Sequence, residues 1–394
     1  MSLEDLCRSV LERGWREGVR DGVPFAFTVP SPHSYPWQWY WDSCFHAIVW
    51  QRFRPERSRS ELETLLAASR GGFIGHTIFW TRPLRGVRRL YYNVPGADTF
   101  MTGTIQPPLL AWAWSAAVGD PRAEPRIAEH HDWLRANRAL EPDGLLWIVQ
   151  PDESGMDALP KFDHVWGPFA QGLPLFPLLV RRNRGRHWDA RRIEPRVCEV
   201  VTNVAWCLSE TALGRPSLTD ALVARLWDER SGRFADAEAG ARTRVPPHER
   251  PLTWDALAPL VLPDLPDSIA ERLVEIYRER YAQWAPLPAI PPDDSRHDPH
   301  ERHFGVHRHW RGPSWVISAW LVSLGLRRLG LDDDAAAMAR RLEPIVLREG
   351  LREYYDSRTG RGMGARDFAS SALALEVVAP GVAVERSAGG GSQL

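Results

Sequence analysis

Apolar residues at helical spacing recur from one end of this chain to the other, and no other feature of the sequence constrains the fold as strongly. Candidate helices cover Leu3–Gly18, Ser43–Arg54, Ser58–Arg70, Pro107–Val118, Arg122–Arg138, Val165–Arg182, Pro195–Leu213, Leu218–Asp228, Ser268–Trp284, Pro313–Gly330, Asp332–Glu349 and Phe368–Val378. Their ends carry physical signals: Asp332, Asp333 and Asp334 can cap a helix start, and Gly330 ends the helix before it. Within Pro313–Gly330, Trp315, Ile317, Trp320, Leu321, Leu324 and Leu326 make a broad apolar face. Strand signals are rare, the best being Gly144–Val149. About a dozen helices in pairs, joined by long loops, predict an all-α fold, an α/α toroid. In that architecture an inner ring of helices is enclosed by an outer one, and loops at one end form the pocket. The stretches Thr81–Thr104 and Pro286–Gly312 exceed the roughly 12–15 residues beyond which a structureless loop usually has a function or is disordered. No Gly/Ser linker interrupts the chain before Arg386. One catalytic domain is therefore expected over residues 1–385, with 386–394 as a disordered tail.

Charge and composition exclude several functions. The chain has 394 residues and a formal net charge of −1, which gives no electrostatic basis for binding nucleic acid or an anionic membrane. No apolar run is long enough to cross a bilayer, and Met1-Ser-Leu-Glu-Asp-Leu lacks the basic and apolar segments of a secretory signal. Cys7, Cys44, Cys198 and Cys207 are scattered without CxxC spacing and read as reduced, buried thiols, consistent with a cytoplasmic enzyme. Tryptophan is abundant at 19 residues, most of it for core packing, whereas Lys161 is the only lysine.

Two acidic motifs carry the chemistry. Glu153-Ser-Gly-Met-Asp157 begins where an extended run ends, and Gly155 permits unusual backbone angles. A carboxyl group among Trp147, Met156, Phe162 and Trp166 would lose hydration and stay protonated, as a general acid must. Capping a helix would be the structural alternative for either residue. Arg352-Glu353-Tyr354-Tyr355-Asp356 precedes a turn at Ser357–Gly360, and Arg352 or Arg311 could keep Glu353 ionised as a general base. A surface ion pair is the structural alternative here. Trp37-Gln38-Trp39-Tyr40-Trp41-Asp42 combines indole platforms with a carboxylate that can accept from sugar hydroxyls, though Asp42 could instead cap the next helix. Arg311, buried among aromatics in His309–Trp315, must pair with a carboxylate or a ligand oxygen. His297, His300, His303, His307 and His309 match no metal spacing and read as solvated loop residues. The basic run Thr81–Arg89 is a candidate anion site at the pocket mouth. Walker, dinucleotide-binding and GxSxG signatures are missing from the sequence.

Six motifs in this order are Trp39–Ile48, Gly72–His76, Ile105–Pro108, Glu153–Asp157, Trp310–Trp315 and Glu353–Asp356 followed by Thr359-Gly360. Together they resemble the (α/α)6-barrel hydrolases of glycoside hydrolase family 63, closest to bacterial mannosylglycerate and glucosylglycerate hydrolases. The resemblance spans about Trp37 to Val378. It implies an inverting α-glycosidase without cofactor or metal, with Asp157 as general acid and Glu353 as general base, the two carboxyl groups roughly 6.5–9.5 Å apart. It places Asp42, Gln106, Trp310, Arg311 and Trp315 along the sugar pocket. Tyr35, Trp39, Trp41, Gly155 and His309 complete the candidate substrate-binding set. Departures fall on the pocket wall: Ala158-Leu159-Pro160 where relatives often carry Asn-Ser-Pro, Asp152 at a common aromatic position, His309 at a common tyrosine, and no tryptophan near Ser370. The expected substrate is a short α-glucoside or α-mannoside, glucosylglycerate or mannosylglycerate first. The alternatives are an exo-acting α-glucosidase on neutral oligosaccharides and a non-hydrolytic sugar-binding protein. The expected partner is a small carbohydrate, with a homo-oligomer left open.

Overall fold

The computed structural model describes residues 1–82, 84, 94, 100–167, 187, 189–284, 286–300, 302–303 and 306–381. The fold is helix-rich, 49% helical and 13% strand. Two of its helices begin at side-chain caps, whereas Asp332–Glu349 starts after Leu331 with no side-chain cap, its three aspartates lying in the first turn. Ser2 and Asp5 form a reciprocal capping box at the start of Leu3–Gly14, and Glu199 caps Val200–Ala212 through the amides of Val201 and Thr202.

Six elements close a cycle. The helix Tyr40–Phe53 packs on Leu110–Ala117, which packs on Val200–Ala212, then on the 3-10 helix Trp254–Val261, then on the helix Val316–Arg328. That helix meets the 3-10 turn Ala369–Leu373, which returns to Tyr40–Phe53. Ring members are buried nearly all round: every residue from Tyr40 to Trp50 and from Val316 to Leu326 is buried. A helix apolar on all faces has no solvent side to present, so it belongs inside a shell of others. Leu3–Gly14, Pro55–Ala67, Glu124–Arg138, Asp267–Ile276 and Asp332–Glu349 bury one face each and are among the elements that make that shell. Trp41, Phe45, Leu109, Val201, Trp254 and Trp320 line a small apolar cavity between ring members.

Several expected helices are shorter than their apolar period suggests. The first stops at Gly14 rather than Gly18, because Trp15–Arg20 pairs with Val23–Thr28 across an Asp21-Gly22 turn whose two residues both have positive φ. Pro195–Leu213 splits into the strand Arg196–Cys198 and the helix Val200–Ala212. At the start of Val165–Arg182 a short helix, Asp163–Trp166, ends at Gly167, and residues 168–186 lie outside the described residues, as do 386–394. The chain is also less purely helical than expected, with six two-stranded sheets among the described residues. The Gly144–Val149 run forms isolated bridges, Ala139 to Leu146 and Ile148 to Val197, rather than a ladder. All four cysteines are buried and free. No helix among the described residues is long and apolar enough to cross a membrane.

Candidate active site

The candidate residues gather at the N-terminal ends of the ring members. Trp39 stands at the cap of Tyr40–Phe53, Gln106 just before Leu110–Ala117, Trp315 at the cap of Val316–Arg328, and Phe368 before Ala369–Leu373. Asp42 lies inside the first turn of its helix and does not cap it. Its buried carboxylate accepts from Ser370 Oγ, and burial holds its pKa above the usual carboxylate range. Gln106 accepts from the Trp41 amide at 3.0 Å and fixes the start of the helix. Residues 38–39 pair with 77–78, which brings His76 edge-on to Trp39, ring centres 4.8 Å apart.

Glu153 and Asp157, undistinguished by local sequence, have different environments. Glu153 is fully buried and saturated: Arg138 donates two bonds of 2.7 Å, and the amides of Val149 and Ile105 donate at 2.8 and 3.0 Å. A carboxylate so paired anchors the loop. Beyond it Gly155 takes φ +71°, and a Cβ there would lie 2.4 Å from the Trp41 indole. That turn leads to Asp157, whose Oδ1 lies in hydrogen-bond contact with His309 Nε2 at 3.1 Å. Arg311 has a carboxylate partner. Its guanidinium pairs with both oxygens of Asp163, five residues past Ala158, and so ties the loop down.

Glu353 comes from a hairpin, Arg352–Tyr355 paired with Gly362–Arg366, with an irregular register between Arg352 and Tyr354. The hairpin docks on the Trp310–Trp315 segment through two backbone bonds between Ser314 and Tyr355, 2.8 and 2.9 Å. Tyr354 then lies beside Trp315 and His309, and Trp310 and Trp315 stack face to face at 3.9 Å. Glu353 Oε1 accepts from the Tyr35 hydroxyl and Oε2 from the Ala365 amide, both at 2.8 Å. These two donors, rather than Arg352 or Arg311, hold the carboxylate. Burial raises its pKa; the neighbouring His309, the Ala365 amide and the Tyr35 hydroxyl oppose that rise, and Asp157 adds to it. A poised base needs such balance.

Sequence reasoning misses three contributors. His76 enters there only as part of a motif, yet both its ring nitrogens are buried without a hydrogen-bond partner, and burial pushes its pKa down to about 3. Gly364, φ +64°, sits under Glu353, where a Cβ would come within 2.7 Å of Oε2. Lys161 is buried and bonded to Glu199, Asp255 and Asp236 at 2.6, 2.7 and 3.1 Å. Those three carboxylates form the one metal-type cluster among the described residues, and the ammonium stands between them. The basic run Thr81–Arg89 lies outside the described residues except for 81, 82 and 84.

A family model described as the mannosylglycerate hydrolase MGH1-like glycoside hydrolase domain matches residues 35–214 and 208–371. The chain belongs to this family of glycoside hydrolases. This hydrolase is similar to the mannosylglycerate hydrolase of Thermus thermophilus, 30% identical with 89% of this chain and 96% of that protein covered. It is also similar to the glucosylglycerate hydrolase of Mycolicibacterium hassiacum, at 25% identity over 88% and 93% of the two chains. Among solved structures, a family 63 mannosylglycerate hydrolase from Thermus thermophilus in complex with Tris matches at TM-score 0.75 and 26% identity, over 95% of this chain and 99% of that one.

Proposed function

We propose that this glycoside hydrolase is an inverting α-glycosidase, with Asp157 protonating the leaving oxygen and Glu353 activating water. The observation that carries the proposal is the contrast among the three candidate carboxylates. Glu153 is saturated by Arg138 and two amides, whereas Asp157 and Glu353 both neighbour His309 at the mouth of the ring. Trp39, Trp41 and His76 supply an aromatic wall and hydrogen-bonding nitrogens suited to a sugar ring, and Asp42 supplies an acceptor. The closed cycle of six packed elements supports an (α/α)6 toroid, with residues 1–385 as one catalytic unit.

The first candidate substrates are glucosylglycerate and mannosylglycerate, on the strength of what the relatives act on. A neutral α-linked disaccharide is a second reading, favoured by one observation: Arg308 and Arg311, two guanidinium groups beside His309 among the described residues, pair with Asp298 and Asp163. Incubation with both glycerates and a panel of α-linked disaccharides, followed by proton NMR, tests both. Release of the β-anomer is expected. Release of the α-anomer would overturn inversion, and binding without release would point to a sugar-binding protein.

A further inference from the structure

His309 stands out because it is a titratable ring placed directly on the carboxyl group assigned to deliver the proton. Its Nε2 is in hydrogen-bond contact with Asp157 Oδ1 at 3.1 Å. The ring is buried, stacked 5.7 Å from Tyr354, and held in place by Trp315 Nε1, which donates to the His309 carbonyl at 2.9 Å. A lone imidazolium beside a carboxylate would strip it of its proton and disable it as an acid. Two groups in direct hydrogen-bond contact, however, lose protons as a unit rather than separately.

We infer that the proton given to the glycosidic oxygen is stored on the His309–Asp157 pair, with His309 acting as a positioning and proton-holding residue behind Asp157. This inference rests on the assignment of Asp157 as the acid. In the resting site the pair carries one proton more than imidazole plus carboxylate. As the C1–O bond breaks, that proton passes from Asp157 Oδ to the leaving oxygen, leaving a carboxylate beside a neutral imidazole. As the new C1–O bond forms, the attacking water gives its proton to Glu353. Exchange with solvent then returns one proton to the pair and removes one from Glu353, so that atoms and charge balance over the cycle.

The groups around His309 favour this arrangement. Asp157, Glu353 and Asp152 all act on the ring to favour its charged form. The flanking cations Arg308 and Arg311 are paired with Asp298 and Asp163, which blunts their repulsion. Burial alone would lower the imidazole pKa, but these carboxylates outweigh it and the net shift is upward from 6.5. Tyr354 stacks on the imidazole and Trp315 meets it edge-on.

Two measurements test the inference. In the first, the His309 ring nitrogens are followed by NMR titration of the full-length protein, with the signal assigned by its loss in His309→Gln. A titration above 6.5 is expected, falling by about one unit or more in Asp157→Asn. An imidazole already neutral at pH 6, or one that ignores Asp157→Asn, would overturn the pair. This readout needs no turnover, so it stands apart from any failure of the glycosidase assignment. The second is the kcat–pH profile of His309→Gln, which can still donate to Asp157 but cannot ionise. Its alkaline limb should move at least about one pH unit toward acid. A variant slower at every pH with an unmoved limb would reduce His309 to a structural support and sink the proposal.

Discussion

At Gly155 a side chain would meet the Trp41 indole at 2.4 Å in a backbone region that already disfavours it, and rigid aromatic carbon cannot yield cheaply. Gly155→Ala is therefore expected to cost about 1–3 kcal/mol and to displace Asp157, lowering kcat along with stability. Urea denaturation and steady-state kinetics on the same preparation check it; a variant with wild-type kcat would show that the turn does not set the acid's position. The candidate acid and base themselves should behave differently from Glu153. Asp157→Asn and Glu353→Gln remove a proton donor and acceptor without removing volume, so each should lower kcat by about 10²–10⁴-fold while the melting curve stays nearly fixed. Full activity in either variant would take that residue out of the mechanism.

Between elements, Lys161 makes a buried electrostatic tie. It joins the loop behind Asp157 to the N-terminal ends of two ring members, since Glu199 caps Val200–Ala212 and Asp255 lies in the first turn of Trp254–Val261. Burial would lower the ammonium pKa, but three carboxylates raise it well above its ordinary value. Burial pushes Asp236 up to about 7, offset in part by Lys161 and reinforced by Glu199 and Asp255. Removing one partner from such a cluster leaves the others charged without compensation, and Lys161→Met should cost about 3–5 kcal/mol. The sign with pH follows: in the variant the folded carboxylates would hold protons more tightly than the unfolded ones, so the loss should deepen as pH rises. Denaturant midpoints from pH 5 to 9 measure this. A loss below about 1 kcal/mol at every pH would mean that the carboxylates have other compensation.

At the scale of the molecule, the ring is held shut by its apolar interior. Trp320 contacts Phe45 and Trp112 edge-on and lies among side chains from several ring members. Trp320→Ala should cost about 3–5 kcal/mol, and because the site residues sit at the ends of those same members, activity and fluorescence should be lost in one coincident transition. Separate transitions would show that the mouth of the ring melts independently of its core.

Helical period, glycine and proline punctuation, and the pairing of acidic motifs with aromatics are local properties, so most helices and the two acidic motifs are legible in the sequence, whereas the choice of Asp157 over Glu153 came from the family resemblance. The Trp15–Thr28 hairpin is not legible, although Asp21-Gly22 announces it, because the apolar period of the first helix runs on four residues past its end. What only the tertiary structure decided was which charge meets which. Arg138 takes Glu153, Asp163 takes Arg311, Tyr35 and Ala365 take Glu353, and His309 takes Asp157. The reason is physical: periodicity acts over a few residues, whereas a buried charge is settled by whatever partner folding brings within about 3 Å, here from 12 to 318 positions away in the chain.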